Sequence, residues 1–211
     1  MERHAQLKIR EECQTIREAL QSKFGEDAWR NRTNFRSDCF ADPASFMQDV
    51  MEIGPGILQF SCHGEARGLW FSNGFTQASA IVKAIRAHNK HVAAEGGQRI
   101  QLVVVNACMS GPLAQALCEC VDFVIGHGHS EVGDEEALTF SKTFYYSLGR
   151  GMSLDGSFKA AKLASPPFHL YHSFNPEKFF LPVPGLQTCR GSRGPVTRRK
   201  RRVRRRQRGR G

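Results

Sequence analysis

The sequence lacks any run of about 18 or more apolar residues, the length a membrane-spanning helix needs, so no such span is expected. Its first residues, Met1 to Gln6, hold no apolar signal-peptide core. Nothing there directs the chain to secretion, and an intracellular site, cytoplasmic or nuclear, is expected. A compact disulfide framework is also missing. The seven cysteines, at positions 13, 39, 62, 108, 118, 120 and 189, are odd in number and read as thiols in a reducing compartment. Net charge is absent from most of the chain as well. Arg198 to Arg210 holds nine arginines, one lysine and no acid; removing those ten charges from the total of +10 leaves residues 1–197 formally neutral. The domain itself therefore gives no sign of a nucleic-acid surface. The tail has no aromatic residue to stack on bases, which argues against sequence-selective binding and leaves non-specific contact with phosphates.

What is present suits one soluble domain followed by a tail. The chain has 211 residues and 40% apolar content, enough for a real core. Residues 1–186 read as the domain and residues 187–211 as a disordered, arginine-rich tail.

Within the domain, apolar spacing predicts a helix over residues 3–23 and a short strand from Thr33 to Phe40. Asp42-Pro43 caps a helix through about Ile53. Ile57–Ser61 reads as a buried strand, followed by a small hairpin around Leu69 to Phe71. A helix follows from Ala78 to His91, and then the strand Leu102–Val105, four apolar β-formers in a row. Pro112 starts a helix through Glu119, and Val121–Ile125 reads as another buried strand. Asp134 caps a helix to Leu148, Ser153–Leu163 is a further helix, and Phe168–Tyr171 and Phe179–Leu181 supply a last strand. Strands alternating with helices predict an α/β sandwich with a mostly parallel sheet. Ligands bind such sheets beyond the carboxyl ends of the strands. His63, Cys108 and His127 all follow predicted strand ends, which places them on one rim.

Two of these residues form a chemical pair. A cysteine hydrolase needs a thiolate nucleophile and an imidazole to take and return its proton. Cys108 is the candidate nucleophile, where a strand meets the start of the next helix, whose amides would favour the thiolate. His63 is the candidate general base. Cys62 should face the other side of its strand and belong to the core. Cys118, Cys120, His127 and His129 do not match the spacing of a common zinc site, so no metal is assigned. His127 and His129 are expected on the rim of the site. Glu131 and Asp134 to Glu136 follow that rim, either as helix-favouring acids or as a wall attracting a basic substrate side chain.

Taken in order, these segments resemble a known family. Ile57-Leu-Gln-Phe-Ser-Cys-His-Gly64, Val103-Val-Val-Asn-Ala-Cys-Met-Ser-Gly111, Val124-Ile-Gly126 and the helix from Asp134 through Phe144-Tyr145 resemble the CHAT domain, as do Gly151 to Leu154 and Phe158–Ala161. That is a caspase-like cysteine peptidase family related to caspases and separase. The resemblance covers most of residues 5–165. It implies a caspase-like three-layer sandwich and an endopeptidase acting through the His63/Cys108 dyad. It also implies an oxyanion hole made by the amides of Gly64 and Cys108, and needs no cofactor. The family begins with an apolar strand that this sequence does not supply before its first helix, so the reading allows a sheet without the first strand. The expected partners are a protein or peptide substrate and a regulatory protein. A membrane is not among them, and the tail adds non-specific nucleic acid. The alternatives are an inactive interaction module of the same fold, or a polyanion binder acting through Arg198 to Arg210.

Overall fold

The computed structural model describes residues 8–21, 35–39, 41–128 and 131–172. In chain order its first elements are α1 (Ile9–Gln21), α2 (Pro43–Ile53), β1 (Ile57–Ser61), β2 (Gly64–Glu65), β3 (Gly68–Phe71), β4 (Gly74–Gln77) and α3 (Ala78–Ala94). Then come β5 (Leu102–Asn106), α4 (Gly111–Leu117), β6 (Phe123–His127), α5 (Asp134–Gly149), α6 (Leu154–Ala164) and β7 (Phe168–His172). No helix among the described residues is long and apolar enough to cross a membrane. The arginine-rich tail, His129 and the second half of the expected last strand, Phe179–Leu181, lie outside the described residues.

Local chemistry sets several of the helix starts. The Asp42 carboxylate accepts the amides of Ala44 at 2.7 Å and Ser45 at 2.9 Å, and Asp42's own amide donates to Ser45 Oγ at 3.0 Å. That reciprocal pair, with Pro43 in the first turn, fixes where α2 begins. At α6, Ser153 Oγ accepts the Gly156 amide at 3.1 Å. The cap of α5 is Gly133 rather than Asp134. The Gly133 amide donates to the Glu136 carboxylate at 3.2 Å, and Asp134 becomes the first helical residue. With Glu135 and Glu136 it places three acids in a first turn, where the helix dipole favours them.

The main sheet has the order β1-β5-β6-β7, with β1, β5 and β6 parallel and β7 antiparallel. Every residue of β5 and β6 is buried. Alternate side chains go to opposite faces of a strand, and two cores result. Leu102 and Val104 join Ile16, Phe140, Phe144, Leu148 and Leu154, which come from α1, α5 and α6. Val103 and Val105 join Phe46, Val50, Ile81, Ile85, Leu113 and Leu117, which come from α2, α3 and α4. The protein is thus a three-layer α/β sandwich, with a second small sheet, β2-β3-β4, inserted between β1 and α3.

Two sequence-based expectations change. The strand expected from Thr33 to Phe40 is absent where it is described: residues 35–38 are irregular and Cys39 lies in a turn. Phe35 is held there by packing on the α1 core, with the Arg17 guanidinium 5.3 Å from its ring. The strand expected at Val121–Ile125 is displaced to Phe123–His127. The Asp122 and Phe123 amides both bond Gln101 O, and Arg99 holds the Asp122 carboxylate at 3.0 Å, so these groups make the turn into the strand.

Candidate active site

β1 and β5 are paired in step to their last residues, Ser61 opposite Asn106. His63 and Cys108 each stand two residues beyond those ends, so both lie at the carboxyl rim of the sheet. The inserted sheet fixes the histidine's backbone: Gly64 pairs with Leu69, and the Trp70 amide donates to His63 O at 2.9 Å. The Trp70 indole, about a third exposed, donates to the Glu65 carboxylate at 2.9 Å.

Gly64 is where the two turns meet. A Cβ at that position would lie 2.4 Å from Cys108 O, 2.9 Å from Ala107 Cβ and 3.4 Å from Cys108 N. Two of those neighbours are backbone atoms, which cannot swing aside, so only glycine admits this approach. The two backbone segments expected to supply the oxyanion hole therefore lie against one another.

The cysteine turn is stapled from below. Ser110 is buried and accepts the His127 amide at 2.8 Å, while its hydroxyl lies 3.3 Å from both Val105 O and His127 O. The Gly111 amide donates to Gly128 O at 3.1 Å, and a Cβ on Gly111 would sit 2.9 Å from that oxygen. Cys108 was expected where a strand meets the start of the next helix, and it lies between β5 and α4, two residues before Ser110, the residue that precedes α4; Met109 between them takes a left-handed conformation with φ 51°. That conformation costs about 1–2 kcal/mol for a residue with a side chain, and the Ser110 and Gly111 bonds hold it. The Cys108 sulfur instead faces the loop before α5, with the Val132 amide 3.5 Å away.

His127 does not line the rim. Because β6 runs to residue 127, its ring is inside the sandwich, fully buried, with its centroid 3.8 Å from that of Phe168. Neither ring nitrogen has a hydrogen-bond partner among the described residues. Burial, helped by nearby His169, lowers its pKa from 6.5 to about 4. Asp134 is half-buried and lines a small cleft together with Glu12, Ser61 and Asn106. Cys62 packs on the α2–α4 side, and burial pushes its thiol up to about 12. Burial also raises Cys118 and Cys120. Among the described residues no group of three or more histidines, cysteines and acids is placed to hold a metal ion.

Sequence reasoning passed over one functional-looking group, Glu12. Its carboxylate is buried, and Oε1 accepts from Ser141 Oγ at 2.5 Å, Asn106 Nδ2 at 2.6 Å and Gln59 Nε2 at 2.8 Å. Burial is the main force raising its pKa, and those donors oppose it. The signal was available. Glu12 lies three residues after Ile9 and four before Ile16, so it falls on the inward stripe of α1. An acid inside an apolar stripe is a stronger functional hint than one beside it.

The chain matches no protein-family model, and no curated protein matches it significantly.

Proposed function

We propose that the protein is a cysteine endopeptidase of the caspase-like CHAT type, with Cys108 as nucleophile and His63 as general base. One observation carries this reading: the His63-Gly64 turn lies directly on the Cys108 backbone at the shared rim of two parallel strands. The ordered segments noted in the sequence agree with it.

In this reading His63 takes the thiol proton as the Cys108 sulfur attacks the scissile carbonyl. The developing oxyanion is held by the amides of Gly64 and Cys108. His63 returns the proton to the leaving amine, and the acyl-enzyme thioester remains on Cys108. A water molecule, deprotonated by His63, then releases the acid. Acyl transfer through a thiol needs no cofactor. The αL turn at Met109 and the Ser110 staple hold the nucleophile in place before substrate arrives, so little ordering is left for the transition state.

Labelling with a peptidyl acyloxymethyl ketone tests this. The wild-type protein should be labelled at Cys108, and Cys108→Ala and His63→Ala should not. Gly64→Ala should slow labelling at least about a hundredfold, since its methyl group would meet Cys108 O. Wild-type protein that is folded, alkylated at Cys108 by iodoacetamide, and untouched by any peptidyl probe would rule out the peptidase.

A further inference from the structure

Residues 35–39 run beside α1 and are tied to it at two points. The Arg17 guanidinium lies 5.3 Å from the centre of the Phe35 ring, and Phe35 packs against the core that α1 helps to form. Four residues earlier, on the same face of α1, the Cys13 thiol makes side-chain hydrogen bonds with Cys39 and Ser37. Residue 17 meets 35 and residue 13 meets 39, so helix and segment run in opposite directions with their contacts in step. Both thiols are free. Each is half-buried, and residues 36–38 beside Cys39 are exposed, so a small reagent can reach the pair.

The same segment is fastened to the other side of the sandwich. Arg36 pairs with Asp49 at 2.7 Å and with Glu52 at 3.1 Å, both on α2, and Ser45 Oγ donates to the Asp38 carboxylate at 3.3 Å. α1 packs on one face of the main sheet and α2 on the other. The segment therefore bridges the two helical layers, and its link to α1 ends on two thiols in contact.

We infer that Cys13 and Cys39 form a reversible disulfide, a redox latch between α1 and the segment that leads into α2. The inference does not depend on the peptidase reading. The oxidant is a glutathione-type disulfide. Burial, and then the nearby Cys39, raises the Cys13 thiol to about 11, which leaves Cys39 to open the exchange. The Cys39 sulfur attacks one sulfur of oxidised glutathione, the glutathione S–S bond breaks, and one molecule of reduced glutathione leaves with the Cys39 proton. The Cys13 sulfur then attacks the Cys39 sulfur of the mixed disulfide, and the second glutathione leaves with the Cys13 proton. The two electrons and two protons lost by the protein thiols are carried away by the two glutathione thiols released. The new bond joins residues 26 positions apart, a loop that restricts the unfolded chain far more than the folded one.

The test equilibrates the full-length protein with oxidised glutathione, blocks the remaining thiols with N-ethylmaleimide and maps the bridges by mass spectrometry. Trypsin followed by a protease specific for acidic residues separates Cys13, Cys39 and Cys62. The Cys13–Cys39 bridge should be at least about tenfold more abundant than any other pairing, because the fold holds these two thiols at a high effective concentration. Reduced glutathione should undo it. The bridged form should unfold at least about 5 °C above the reduced form. Cys39→Ser should remove both the bridge and that shift, and should leave the reduced protein's unfolding temperature within about 2 °C of wild type. Folded wild-type protein in which Cys13 and Cys39 stay open, or carry separate glutathiones, would overturn the latch. So would a bridge no more abundant than in urea-unfolded protein, or one that leaves the unfolding temperature unchanged.

Discussion

His127 and Glu12 are where the residue scale departs furthest from the sequence. The histidine was expected at the rim and is core; the acid was passed over and is buried, bonded to Asn106 near the end of β5. Each has a consequence in its own chemistry. The folded state holds His127 at about 4, whereas an unfolded chain would titrate it at 6.5. Its pKa is depressed on folding, so between those values the unfolded state binds more protons. The stability that comes from keeping it neutral is complete above about pH 6.5 and lost as the pH falls toward 4. A depression of this size is worth on the order of 3 kcal/mol. Urea midpoints between pH 4 and 7 should therefore rise more steeply with pH in wild type than in His127→Leu. Parallel curves would show that the ring is not held neutral by burial. The two misses have different causes. A strand's apolar run does not mark its last ladder residue, and a two-residue extension at β6 was enough to carry His127 inside; Glu12 was overlooked although it falls on the inward stripe of α1.

At the scale of elements, the site depends on how β5, α4 and β6 are joined. Ser110 bonds the end of β6 and approaches Val105 O of β5, and Gly111 bonds Gly128 just beyond β6. Removing the Ser110 hydroxyl leaves the buried His127 amide without that acceptor. Ser110→Ala should therefore cost about 1–3 kcal/mol, read from urea denaturation. A loss well below that would mean the turn holds itself. Most elements were legible because their signals are local: the four β-formers of β5, the Asp42-Pro43 cap and the 3.6-residue stripe of α5. The Thr33 to Phe40 segment was not legible, because Phe35 satisfies its burial through α1 without a strand partner. The path of the chain between Cys108 and α4 was not legible for a similar reason. The left-handed turn at Met109 is set by long-range bonds from Ser110 and Gly111, and no propensity at methionine announces it.

At the scale of the molecule, charge and fold are separate. The basic excess belongs to residues 198–210, and the remainder is formally neutral. Polyanion binding should therefore be salt-dependent in the full chain, with affinity falling as the counterions released by its arginines are replaced. It should disappear when residues 197–211 are deleted. RNA retention on a filter between 50 and 200 mM salt (roughly the range where such binding changes most) would measure this. Undiminished binding after deletion would place the polyanion site in the sandwich. The same deletion should leave peptidyl labelling of Cys108 unchanged, because the dyad and the groups around Glu12 are built from residues 8–141.

The sequence alone determined that strands and helices alternate, that both faces of the central strand are apolar, and that a histidine and a cysteine follow two of the strands. These are properties of neighbours along the chain, and periodicity reports them. Only the tertiary structure decided which strands lie side by side, that Gly64 rests on Cys108, and that an acid from the first helix closes over Asn106 and Ser61. Those contacts join residues 44 to 94 positions apart, and their cost or benefit depends on packing geometry that no local pattern encodes. The pair of reactive residues was legible because each ends its own apolar run. The polar cluster around Glu12 was not, because it exists only where separate elements meet.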